Sequence, residues 1–205
     1  GPGPTVDDDP GFNPRPTIGF EEQATDVSGY ACTLYDLGGS SGGRTLWSSY
    51  WDEAHAIVFV VDAADHDRLG EAREVLASLL ADAKVAGKAV AVLCNKQDLP
   101  GAAGPAEMAE RLGLGAAGSG LVRTFPVVAR STTDDGAGQA FRWLGQTATA
   151  SYAQLQARID RDVAEKRRAQ EAERAERRRR IEERKARRAA EAAAEAAASP
   201  RSSPR

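Results

Sequence analysis

Residues 56–98, AIVFVVDAADHDRLGEAREVLASLLADAKVAGKAVAVLCNKQD, decide the fold. Ala56-Ile57-Val58-Phe59-Val60-Val61 is a continuous, largely β-branched apolar run, the pattern of a strand covered on both faces, and Asp62 ends it. Residues 65–86 then read as a helix with Leu69, Val75, Leu76, Leu79 and Leu80 along one face. Ala89 to Cys94 is a second buried strand, and it stops at the polar run Asn95-Lys96-Gln97-Asp98. Strand, helix and strand in alternation, with polar residues at the carboxyl ends of the strands, argue an α/β doubly wound parallel sheet with its functional site at those ends.

The same reading extends in both directions. Gly19 to Asp36 alternates at the strand period around Ser28-Gly29 and predicts a β-hairpin. Gly38 to Gly43, GGSSGG, predicts a mobile loop, and Leu46 to Ala54 a short helix. Downstream, a helix is expected near 105–112, a strand near 124–129 and a helix from Asp135 to Gln146. Residues 1–16, with five prolines and Asp7-Asp8-Asp9, predict a flexible lead-in. The division expected is therefore a lead-in over 1–16, an α/β domain over 17–150, a long charged helix or coiled coil over 151–198 and a disordered tail over 199–205. Tyr152, Leu155, Ile159 and Val163 form one stripe at the start of that helix. Beyond it, pairs such as Asp162/Lys166, Glu173/Arg177, Glu176/Arg180 and Glu183/Arg187 take over at the i,i+4 spacing that supports a helix on its own surface.

Composition narrows the classes. Of 205 residues, 27 are Lys or Arg and 30 Asp or Glu, a net charge of −3. That near-neutrality hides a net −9 over residues 1–156 and +6 over 157–205. Two cysteines, Cys32 and Cys94, both in apolar runs, exclude a disulfide framework or a Cys-rich zinc site. His55 and His66 complete no metal set and read as structural. No apolar run is long enough to span a membrane as a helix, and residues 1–4 lack the pattern of a signal peptide. In the tail, acids interleave with the bases and disperse the field that nucleic acid binding needs, so no nucleic acid partner is expected.

Three short motifs fall in order at strand ends: Pro16-Thr17-Ile18-Gly19-Phe20, Asp36-Leu37-Gly38-Gly39 and Asn95-Lys96-Gln97-Asp98. Taken singly, they are a turn, a strand end and a helix cap. In this order they resemble the Arf-like small GTPases from about Pro16 to Leu144. The chemistry supports the last motif independently: guanine presents two adjacent donors, N1–H and its amine, and the Asp98 carboxylate can accept both. Adenine has no such pair. Asn95 would tie neighbouring loops together and the Lys96 stem would cover the base.

The resemblance implies GTP or GDP with Mg²⁺ as cofactors. It gives Thr17 and Asp36 to the metal and terminal phosphate, Gly39 N–H to the same phosphate, and Ser131 as the residue backing guanine with its backbone amide. Phe20, Trp47 and Tyr50 match an exposed aromatic partner-binding patch, although core packing explains aromatics equally well.

Two features depart from the pattern. Ser40 stands where the family places the Gln that orients water, which implies slow hydrolysis and leaves no catalytic residue assigned. No Gly-x-x-x-x-Gly-Lys-Ser/Thr loop occurs; Gly87-Lys88 precedes a strand and is no phosphate cradle. The first strand and that loop are therefore missing from these residues, in a truncated chain or in a degenerate GTPase fold alike, leaving neighbouring strand edges unpaired.

The Gln-less switch followed by a long charged helix is most similar to the ciliary branch of the family, whose members carry a C-terminal coiled coil. That similarity implies a cilium location at the cytoplasmic face of the ciliary membrane. It also implies membrane association through an N-terminal lipid absent from these residues, and nucleotide exchange on another Arf-like GTPase. The competing reading is an interaction scaffold that works without nucleotide.

Overall fold

The computed structural model describes residues 17–27, 29–115 and 120–198. The lead-in over 1–16 and the tail over 199–205 lie outside the described residues, as does Ser28 of the hairpin turn. Two strands open the chain, β1 (Phe20–Val27) and β2 (Tyr30–Leu37), paired antiparallel with Asp36 opposite Glu21. A 3-10 helix over Gly43–Ser49 follows, then β3 (Ala56–Asp62), a 3-10 turn over His66–Arg68 and α1 (Leu69–Ala81). The rest is β4 (Ala89–Asn95), α2 (Pro105–Arg111), β5 (Val122–Pro126), α3 (Gly136–Ala150) and α4 (Tyr152–Ala198).

Strands β3, β4 and β5 form a parallel sheet in that order, with Ala56 opposite Ala89 and Asp62 opposite Asn95. Alternation along β4 explains the two-sided core. Val90, Val92 and Cys94 face a cluster with Phe59, Val61, Leu76, Leu79 and Met108. Ala89, Ala91 and Leu93 face the other side, where their small side chains let α3 come close through Ala140 and Leu144. Burial pushes the Cys94 thiol up to about 11, so it stays neutral as a core side chain. Cys32 is only half-buried, in contrast to the core position its apolar run predicts.

Several boundaries differ from the sequence reading for local reasons. The segment after Asp36 holds a 3-10 helix over Gly43–Ser49 followed by turns, in place of a helix over 46–54. Its glycines are used for contact: a Cβ on Gly43 would stand 2.7 Å from Gly38 O. The helix expected over 65–86 ends at Ala81, because Asp82 turns to extended backbone and its side chain accepts from Lys84 N at 2.7 Å. Strand β5 covers 122–126, two residues earlier than its apolar run suggests, and α3 continues to Ala150.

The expected open edges are present. Among the described residues β2 pairs only with β1, and β3 only with β4. The unpaired sides of β2 and β3 face one cleft of about 2070 Å³, with Tyr35 and Val60 on its walls and α1 and α3 side chains such as Val75 and Leu144 beside it. Val60 accordingly remains 59% exposed in a strand that otherwise belongs to the core.

The chain divides into two compact units, the first ending at Ile159 and the second starting at Asp160. The boundary expected at 150/151 thus moves into α4, because Leu155 and Ile159 are buried with the first unit. In the second unit the helix stands by propensity and surface pairs. Every side chain over 167–192 that the structure describes is exposed, and Arg180–Glu176, Arg179–Glu183 and Arg187–Glu191 pair at 2.5, 3.4 and 3.2 Å. No helix among the described residues is long and apolar enough to cross a membrane.

Leu76, fully buried between α1 and the sheet, tests this packing. Leu76→Ala should lower unfolding free energy by about 2–5 kcal/mol in urea titration, the range for a large core side chain cut to Ala.

Candidate functional site

The parallel register brings the carboxyl ends of β3 and β4 level, and the loops leaving them are stitched together there. Ala63 N donates to Asn95 O at 3.0 Å, Ala103 N to Ala63 O at 2.9 Å, and Val127 N to Cys94 O at 3.0 Å. Asn95 does tie neighbouring loops: its Oδ1 accepts from Ala129 N at 3.0 Å. Gln97 Nε2 donates to Ala103 O at 2.9 Å and holds the far side of the same turn. Asp98 is exposed at its edge.

Lys96 has the left-handed φ of +67°, a conformation that side chains rarely adopt. The surrounding bonds hold it there, and its Nζ meets Asp62 at 2.6 Å. Partial burial alone would raise the Asp62 carboxyl. The Lys96 hydrogen bond and the Ala64 amide outweigh it and keep the group below the usual carboxylate range. Asp62 is therefore a charged member of the site that the strand pattern marked only as a terminator.

The second edge of the site is the meeting of the hairpin with the glycine segment. Thr17 Oγ1 donates to Asp36 Oδ2 at 2.7 Å. Gly38 N donates to Gly19 O at 3.1 Å, so two segments far apart in sequence lie side by side. Their closeness demands glycine at Gly38, where a Cβ would stand 2.5 Å from Thr17 O. A Cβ at Gly39 would meet no protein atom within 4 Å, so the steric demand among protein atoms falls one residue earlier than the motif suggests.

Ser40 is exposed, and its Oγ accepts from Gly43 N, at the first residue of the 3-10 helix, at 3.2 Å. Arg44, which the sequence did not single out, clamps this loop by donating to Gly39 O at 2.9 Å and pairing with Glu71 of α1 at 2.6 Å.

Ser131 needs a correction. Its amide donates to Val128 O at 2.9 Å, so in this geometry it is not offered to a base. Its Oγ accepts from the Thr133 and Asp134 amides, each at 3.2 Å, and organises the loop. Asp134 was missed as well. Its Oδ2 accepts from Val128 N and Gly136 N, both at 3.1 Å, closing the loop onto the start of α3. The available signal was an Asp pair just before a helix, where capping residues are favoured.

The aromatic trio separates. Phe20 and Tyr50 meet in a tilted contact at 5.2 Å, Tyr35 joins Tyr50 at 5.4 Å, and Phe20 is half-exposed. Trp47 is turned under: its Nε1 donates to Gly38 O at 3.1 Å, and its ring meets Phe59 edge-on at 6.2 Å.

The comparisons agree with this geometry. Residues 6–148 match the ADP-ribosylation factor family. The chain therefore belongs to that family of small GTP-binding proteins. It is 33% identical over 154 residues to ADP-ribosylation factor-like protein 13B of Chlamydomonas reinhardtii, covering 73% of this chain and 29% of that protein. It is 37% identical over 133 residues to ADP-ribosylation factor-like protein 1 of Drosophila melanogaster, covering 64% and 72%. Among solved structures it resembles the Arl6 BBS3 small GTPase from Trypanosoma brucei with the bound nucleotide analogue GppNp. There the TM-score is 0.61 at 29% identity, over 69% of this chain and 86% of that one.

The residues present fit the base and metal sides of a guanine-nucleotide site. Thr17 and Asp36 bring hard oxygen donors together. Among the described residues no group of three His, Cys, Asp or Glu could hold a metal alone, so such an ion would also need oxygens from its ligand.

Two outcomes test the site. Gly38→Ala should cost about 1–3 kcal/mol by forcing the Thr17 and Gly38 segments apart, while Gly39→Ala should cost much less in the same denaturant series. Because the Asp62 carboxyl is lower in the fold than the unfolded value of about 3.9, its stabilising effect is present above that pH. The effect is lost as pH falls through the folded value. Lys96→Met should move the Asp62 titration upward in a carbon-detected NMR pH series.

Proposed function

We propose that this protein is a guanine-nucleotide-dependent switch whose output is contact with other proteins. The observation that carries the reading is the Thr17–Asp36 hydrogen bond beside the Gly38–Gly19 contact. A hydroxyl and a carboxylate from separate segments meet where a metal-bound terminal phosphate would tie them together, so its loss would release both. Mg²⁺ would sit on Thr17 and Asp36, and it would neutralise phosphate charge there. Asp98 would accept from guanine, Asn95 would keep its loop in place, and Gly39 N–H would meet the terminal phosphate. The Ser40 hydroxyl, which accepts from Gly43 N, is too short to reach where a Gln side chain would orient water, which supports slow hydrolysis.

Phe20, exposed and in contact with the half-buried Tyr50, supplies an accessible aromatic edge suited to a protein partner. We place that partner among other Arf-like GTPases, with nucleotide exchange as the consequence. The ciliary membrane is the proposed location, and an N-terminal lipid the proposed attachment. The likeness to ADP-ribosylation factor-like protein 13B and the long helix after the domain support these assignments. The chain spans 29% of that relative's length, so the activity and partners of so long a protein are part of the proposal. The open edges of β2 and β3 favour a second reading, a scaffold that binds partners without nucleotide.

Nucleotide extraction separates the two. The polypeptide of residues 1–205 should bind GTP weakly in calorimetry, because most phosphate affinity in such sites comes from a Gly-rich loop and its lysine. A version carrying such a loop should release GTP or GDP, and no adenine nucleotide, when denatured and chromatographed. In that version Asp98→Asn should weaken GTP by roughly 1–3 kcal/mol. Equal binding of ATP and GTP would leave the scaffold reading.

A further inference from the structure

The segment that follows the 3-10 helix is fastened to the base of α4 through a set of contacts that the nucleotide reading does not use. Lys88 is 2% exposed and its Nζ donates to Trp51 O at 2.5 Å. Asp52, also 2% exposed, pairs with Lys84. Both lysines belong to the α1–β4 loop, and that loop reaches α4 as well, because Arg158 donates to the carbonyls of Ala83 and Ala86.

A direct contact closes the circuit. The His55 ring stacks on Tyr152 at 5.2 Å with the planes 4° apart. His55 Nε2 lies 3.0 Å from Gln156 Oε1, which also accepts from the Tyr152 hydroxyl at 3.1 Å. An amide oxygen only accepts, so His55 carries its proton on Nε2. Leu155 and Ile159 are buried behind these contacts.

We infer that Trp51–His55, the 82–88 loop and residues 152–159 of α4 form one latch that couples the 3-10 segment to the first turns of the long helix. Two buried charged side chains, Lys88 and Asp52, favour a single arrangement of the latch, because drawing a buried charge away from its partner is costly. The 3-10 helix is held at both ends, by Arg44–Glu71 at its start and by Lys88 and Lys84 just beyond its end. Trp47 and Trp51 both pack on the same core cluster. A change around Tyr50 therefore passes along Trp51 and Asp52 to His55 and the 82–88 loop, and it biases whether residues 152–159 stay docked. By linkage, loosening those residues must act back on the 3-10 segment to the same degree.

Fluorine NMR on the full chain labelled with 5-fluorotryptophan tests this without any nucleotide. Trp47 and Trp51 report on the segment, and Trp143, packed against Phe125 at 5.6 Å, reports on α3 as a control. Tyr152→Ala should shift both the Trp47 and Trp51 resonances and leave Trp143 in place. Tyr152→Phe, which keeps the stack and loses only the hydroxyl bond, should give a smaller shift in the same direction. If Tyr152→Ala does not fold, Gln156→Ala, which removes the shared acceptor while keeping both rings, serves in its place with the same expected pattern. An unmoved Trp47 would overturn the latch, and so would an equal displacement of Trp143.

Discussion

The parallel register of β3, β4 and β5 is the constraint on which the rest depends. Because Asp62 lies opposite Asn95, the loops leaving both strands start level and can be stitched by main-chain bonds alone. That stitching positions Asn95, Lys96 and Asp98 before any ligand contributes. It also supplies the support that holds Lys96 at a positive φ, since an isolated loop would relax to an easier conformation. The small alanines of β4 serve the same end, letting α3 and the loop before it close over the strand ends.

Around this half, the hairpin is joined to the glycine segment by far fewer interactions. Their junction rests on Thr17–Asp36, Gly38–Gly19 and the Arg44 clamp, and of these residues only Gly38 is buried. The β2 and β3 edges add no ladder between the two halves. A densely bonded half at the strand ends beside a hairpin held by few bonds is the division of labour that the proposed switch requires, because only contacts of low stability can be rearranged by a ligand's binding energy.

The long helix follows a different rule. Its first two turns are held by burial and by bonds to the domain; its later turns hold themselves by alanine, arginine and glutamate propensity and by charge pairs along one surface. Such a helix needs no apolar neighbour to persist.

The parallel strands, the helices between them and the order of the three motifs follow from sequence alone, because β-branched runs, helical apolar spacing and polar strand ends are local properties. The guanine-directed role expected of Asp98 is equally local, since it rests on carboxylate chemistry. Local pattern did not reveal which glycine is sterically required: Gly38 and Gly39 are identical neighbours until Thr17 is folded against one of them. It could not show that the Ser131 amide is committed to Val128, that Trp47 turns under while Phe20 stays at the surface, or that Asp62 meets Lys96. Nor could it place the unit boundary inside α4, where His55 meets Tyr152 and Gln156, Arg158 reaches the Ala83 and Ala86 carbonyls, and Leu155 and Ile159 are buried. Those outcomes are decided by long-range contacts, and a residue's neighbours across the fold exist only once the sheet register has been set.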